Sequence, residues 1–203
     1  MKIQLKSGPL IYLIATLLCL SASSFQTTFT HKWVILKDCS VKVNGTTNVN
    51  KFSCSIPEYT QPDTISLRSG NTAGLSMSGQ LTLPVLNFDC NNQMMTNDLR
   101  KTLKAKEFPK LYIRFLSMEK YPDLKSDAEL ITGMVNIELA GVVKKVKVNY
   151  RITTDAQQMI HLVGKQTVNF SDFNLKPPKR LAGMVRANDL LNVEFRVNFR
   201  IVS

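Results

Sequence analysis

The sequence predicts an all-β fold, an antiparallel sandwich or barrel carrying one short helix. Three observations lead there. Apolar and polar residues alternate with period two along most of the chain, turn residues interrupt the alternation at short intervals, and one stretch switches to a helical rhythm. The bulk composition agrees. Of 203 residues 44% are hydrophobic and 20% charged, ordinary for a folded domain and too apolar for a disordered one. Nine Gly and eight Pro exclude collagen-like and low-complexity chains, and four Cys are too few for a disulfide-dense miniprotein. The length suits one domain with a short appendage.

The appendage comes first. Lys2 and Lys6 precede the largely apolar run Leu10 to Leu20, which gives way to Ser21, Ala22, Ser23 and Ser24; the first acid is Asp38. A basic start, a short apolar stretch and a small-residue exit are the parts of a secretory signal peptide. Residues 1–24 are therefore expected to be cleaved near Ser23 or Ser24, leaving a domain over 25–203 in the periplasm or outside the cell. The apolar run is short for a bilayer span of about 20 residues, which disfavours a permanent anchor. Cys19 does not mark a lipoprotein, because Leu18 stands where a small residue is needed. Cleavage lowers the formal charge from +11 to 24 basic against 15 acidic side chains, or +9.

Cys39, Cys54 and Cys90 remain, in a compartment expected to be oxidising. Cys39 and Cys54 flank Asn44-Gly45, a strong hairpin signal, so they are the candidate disulfide. The alternative is three buried thiols. No C-x-x-C spacing supports redox catalysis or structural zinc.

Candidate strands cover residues 33–43, 49–55, 64–69, 73–88 and 111–120. Then Val135, Ile137 and Leu139 alternate with Asn136, Glu138 and Ala140, Gly141 marks a turn, and Val146, Val148, Tyr150 and Ile152 alternate with Lys145, Lys147, Asn149 and Arg151. A strand over 160–170 follows, and Val193, Phe195, Val197, Phe199 and Ile201 alternate with polar residues at the end. Two stretches are apolar on both faces, Leu81 to Phe88 and Leu111 to Leu116. Such strands must be covered on both sides, by core on one and by a helix or ligand on the other. Pro84 places an edge or bulge there. From Met95 to Phe108 the rhythm is helical: Leu99 and Leu103 lie four apart, and Thr96, Asn97 and Asp98 are all able to cap. This predicts a helix at about 97–106, ended before Pro109, acting as a lid or plug.

Chemistry is sparse. His31 and His161 stand alone, no H-E-x-x-H, G-x-S-x-G, P-loop or EF-hand loop occurs, and no pair of acids has glycosidase spacing. The sequence nominates no catalytic residue, no metal and no cofactor. Positive charge is clustered instead, at Arg100, Lys101, Lys104, Lys106 and Lys110, at Lys144, Lys145 and Lys147, and at Lys176, Lys179, Arg180 and Arg186. These clusters are either solvated surface or an anion or acidic-membrane contact. Nucleic-acid binding wants interleaved aromatics, and these are missing.

Trp33 followed by the segment Cys39 to Cys54 resembles the first two strands of the YceI-like family of secreted bacterial proteins. Met95 through Leu99, Arg100, Leu103 and Lys106 into Phe108-Pro109 and the strand 111–117 resembles its helical segment and Pro-flanked strand. The segment Glu129 to Val146, with Gly133 and Gly141, is similar to its hairpin, and Phe173 through Pro177-Pro178 and Gly183 to Phe199 to its last strand pair. The departure is at the helix, where many members carry Arg-Asp and a Phe-rich stretch but Lys101 follows Arg100 here. The resemblance covers about residues 31–203. It implies a lipocalin-like antiparallel barrel of about eight strands with an elongated apolar cavity, and a non-enzymatic protein holding an isoprenoid or other long-chain lipid.

On that basis the cavity candidates are Phe88, Met94, Met95, Leu99, Leu103, Phe108, Phe115, Phe170 and Phe173, each alternatively plain barrel core. A phosphate head group is expected near Asn97 at the helix start, or at Arg100 and Lys101 after it. The alternative function is an interaction module whose basic face docks an acidic partner or membrane. Peripheral membrane contact and a homodimer stay open.

Overall fold

Alternate side chains of the long strands share one interior, as period two requires. Residues 29–69, 74–125 and 128–202 are described in the computed structural model; the expected signal peptide lies outside them. The strands are β1 (Thr30–Ile35), β2 (Ser40–Thr47), β3 (Lys51–Ile56), β4 (Thr64–Ser69), β5 (Leu75–Ser78), β6 (Gln80–Pro84), β7 (Lys110–Met118), β8 (Glu129–Leu139), β9 (Val142–Thr154), β10 (Ile160–Asn169), β11 (Lys179–Arg180) and β12 (Val185–Val202). The one α-helix among the described residues, α1 (Gln93–Thr102), falls between β6 and β7.

Eight strands form a ring in the order β1, β4, β5, β7, β8, β9, β10, β12, closed by β12 pairing back to β1. Two long strands change partner along their length. β12 pairs β2 through Ala187–Arg196 and β1 through Phe199–Val202. β7 pairs β6 through Lys110–Arg114 and β5 through Ser117 and Met118. The barrel is therefore closed by β1, β4 and β5 at one end and by β2, β3 and β6 at the other.

The first end is filled. Trp33, Ile65, Leu67, Ile160, Leu162 and Phe199 are wholly buried there, and the Trp33 and Phe199 rings lie 5.4 Å apart. At the second end β3 meets the chain after β6 through Ser55 N–H to the Asp89 carbonyl (2.7 Å) and Asp89 N–H to the Ser55 carbonyl (2.9 Å). Next to this bridge Cys54 is disulfide-bonded to Cys90.

That bond corrects the expected Cys39–Cys54 pairing. The β2–β3 register puts Cys54 opposite Val43, so Cys39 lies four residues, or about 13 Å, further along the strand pair. Cys39 is a buried free thiol. The hairpin turn is also displaced. Asn44-Gly45 lies inside β2, and the chain turns at Thr47–Asn50, where the Thr47 hydroxyl accepts from Val49 N (3.1 Å) and Asn50 N (2.8 Å). Gly45 is there for room: a β-carbon on it would sit 2.2 Å from the Phe52 ring.

The helix starts and ends four residues earlier than expected, at Gln93 and Thr102. Asn92, extended, caps α1 by accepting from Met95 N–H (3.0 Å). The three expected caps are engaged elsewhere: Thr96 Oγ1 accepts from Cys90 N–H (3.0 Å), Asn97 accepts from Gln93, and Asp98 pairs with Arg180. The strand expected over 33–43 is broken by Asp38, which holds a positive φ of 65°. The one expected over 73–88 divides into β5, β6 and a 3₁₀ turn at Val85–Asn87, with Pro84 ending β6. A bulge at Leu116 shifts the buried positions of β7 from Leu111 and Phe115 to Met118.

Candidate functional site

The second end of the barrel holds a cavity beneath α1. Leu81 and Leu83 of β6, Ile113 and Phe115 of β7, Ile137 and Leu139 of β8, Val193 and Phe195 of β12, and Leu99 and Leu103 of the helical segment line it. The space open to the centre of a water-sized sphere is about 120 Å³, roughly ten times what one buried water needs. The surface that faces this space is almost entirely carbon.

Its floor is built from two aromatics and two glycines. The Tyr150 and Phe195 rings meet edge to face at 5.9 Å. A β-carbon on Gly133 would sit 2.5 Å from the Tyr150 ring, and one on Gly164 would sit 2.0 Å from that of Phe195. The absent side chains admit the rings, and both rings border the cavity.

Few polar groups reach the lining. Tyr150 is buried, its hydroxyl has no hydrogen-bond partner among the described residues, and burial alone pushes its pKa well up. The Tyr59 hydroxyl bonds the Asp63 carboxylate and accepts from Thr82 N–H (3.1 Å); burial, then that carboxylate, raises its pKa. Cys39 Sγ accepts from Asn198 N–H (3.2 Å), and burial raises its pKa against that bond. Gln166 is half-buried.

Gln166 marks a gap in the wall. β9 and β10 pair as far as Asn149–Lys165; beyond it, Val142–Val148 pair only β8 and Gln166–Asn169 pair only β12. The turn Ser171–Phe173 packs against β9 across this gap, with Phe173 in the lining. From there the chain runs to β11 and is tied to α1. Arg180 bonds the Asp98 carboxylate, and its Nη2 donates to the Met94 carbonyl (3.1 Å). The helix and this strap together cover the cavity.

Of the nominated cavity residues, Phe88, Leu99, Leu103, Phe115 and Phe173 line it. Phe170 is buried in the core outside the lining, Met95 and Phe108 are half-buried against the core, and Met94 is 58% exposed. The head-group candidates are not in the lining. Asn97 and Lys101 are exposed on α1, while Arg100 is half-buried with Nη2 donating to the Phe88 carbonyl (2.9 Å). Sequence reasoning found Phe115 but missed the other inward residues of β6 to β8 and those of β12. Their alternation was visible; Gly133 and Gly164 facing aromatics were the signal for the floor.

No curated protein matches the chain. Among solved structures, Burkholderia cenocepacia BcnA superposes with a TM-score of 0.58 at 15% identity, covering 81% of this chain and 96% of that one. A polyisoprenoid binding domain from Saccharophagus degradans, described as implicated in plant cell wall breakdown, gives 0.60 at 8% identity, covering 83% and 97%. At these identities the likeness is one of fold. The YceI-like domain profile matches residues 19–201. The chain belongs to the YceI-like family.

Proposed function

We infer that the protein is an exported, non-enzymatic carrier that holds the chain of an isoprenoid or similar long-chain lipid in the carbon-lined slot beneath α1. The observation that carries this is a cavity walled by carbon on every strand around it and floored by Tyr150 and Phe195. Burial of each CH₂ contributes about 0.8 kcal/mol, so ten buried carbons supply about 8 kcal/mol before the cost of association. No polar contact is required for retention. The polyisoprenoid binding domain of the same fold supports the choice of ligand class. The Cys54–Cys90 disulfide supports an oxidising compartment, periplasmic or extracellular.

A head group is accommodated where β9 and β10 part. Gln166 stands at that point, and Lys144, exposed, shares the inward register of Ile137. The test is organic extraction of protein purified from an oxidising compartment, followed by lipid mass spectrometry. Wild type is expected to release an isoprenoid lipid near one per chain, and V135W/L139W, which fills the slot, at least about ten-fold less. Equal lipid from both proteins, or none from either, contradicts the carrier.

A further inference from the structure

Three segments meet at the tip of the covered end. The β2–β3 turn is joined to the loop before β12 by Asn48, whose Nδ2 donates to the Met184 carbonyl (2.8 Å) and whose Oδ1 accepts from Arg186 N–H (2.9 Å). Arg180 joins that loop to the first turns of α1. From this tied base four apolar side chains project into solvent: Met184 is 74% exposed, Leu181 70%, Val49 61% and Met94 58%. Side chains this exposed stand out from the surface rather than line a groove. Leu181 and Ala182 both hold positive φ, 50° and 52°, in a region residues other than glycine rarely adopt, so the loop sustains an unfavourable conformation with Leu181 outward.

The ground around these side chains is basic. Lys51, Lys179, Arg180 and Arg186 lie on the same segments, which contain no acid, and α1 adds only Asp98, already paired with Arg180. Scattered exposed Leu or Met side chains need no explanation. Four grouped on one cationic tip combine the two signals of peripheral membrane attachment, apolar insertion and electrostatic attraction.

We propose that this tip docks on an anionic lipid bilayer, with Leu181 and Met184 entering the boundary between head groups and acyl chains and Lys51, Lys179 and Arg186 facing the lipid phosphates. Projecting side chains on three short segments offer a protein partner no groove, whereas a fluid lipid surface needs no shape complementarity. The docking does not rest on the carrier reading, since none of the tip residues lines the cavity.

The experiment is flotation of the purified protein with vesicles of phosphatidylcholine alone and of phosphatidylcholine with phosphatidylglycerol, at low and high salt. Wild type is expected to float only with the anionic vesicles and to be released by salt. K51E/K179E is expected to bind at least about twenty-five-fold more weakly, taking roughly five-fold per basic side chain. L181S/M184S is expected to lose several-fold while keeping its thermal midpoint. V135W/L139W, filled in the cavity, is expected to float like wild type even if it carries no lipid. Flotation with both vesicle types alike, flotation unchanged in both tip variants, or none at all overturns the proposal. Salt-sensitive retention on immobilised polyglutamate without flotation overturns it in favour of an acidic protein.

Discussion

Gly133 on β8 and Gly164 on β10 leave bare the positions over which Tyr150 and Phe195 lay their rings, and so set the depth of a cavity walled by other residues. Gly164→Val forces the Phe195 ring aside and is expected to cost about 1–3 kcal/mol, read as a lower urea midpoint; an unchanged midpoint means the ring has another place to go. Cys39, Tyr59, Tyr121 and Tyr150 all have pKa values raised first by burial. Their contribution is present below the unfolded-state values of about 8.5 for Cys and 10 for Tyr. Above those values the unfolded chain binds fewer protons than the folded one, so stability falls as pH rises. Thermal midpoints should therefore decline from about pH 9 upward, and a flat profile to pH 10.5 counts against the burial of these groups. Residues of this kind were half legible. Gly45 resembles a turn residue in Asn44-Gly45, yet its use is steric, and only the fold shows which ring needs the space.

The elements over the cavity are held by a few specific bonds. Cys54–Cys90 closes 36 residues of sequence separation that include β4, β5 and β6, and chain entropy sets its contribution at about 3–4 kcal/mol. Reduction, or C54S/C90S, should lower the denaturation midpoint accordingly, whereas Cys39→Ser should leave the disulfide intact in a thiol assay. Loss of the disulfide in Cys39→Ser would restore the pairing first expected. Asn92→Ala removes the cap of α1 and is expected to cost about 1 kcal/mol. The apolar face of this helix was readable, since Leu99 and Leu103 are both buried. Its start was not, because Thr96, Asn97 and Asp98 have the chemistry of caps and spend it on Cys90, Gln93 and Arg180.

At the scale of the molecule the barrel has two unlike ends. Alternation along β8 and β12 specified which residues face inward, and that part of the fold was legible. Whether an inward residue meets other core or empty space depends on the partner facing it, and β12 and β7 each change partner midway. Val193 and Phe199 are both apolar, yet one borders the slot and the other packs on Trp33. The disulfide was misplaced for a related reason, since Cys90 reaches Cys54 only through the Ser55–Asp89 bridge at the second end. The central claim is that this second end holds a lipid chain. Native mass spectrometry of the intact protein tests it most directly: wild type should carry one non-covalent lipid per chain, shed on activation, and V135W/L139W should appear bare. A folded wild type that remains bare after incubation with a long-chain isoprenoid would contradict it.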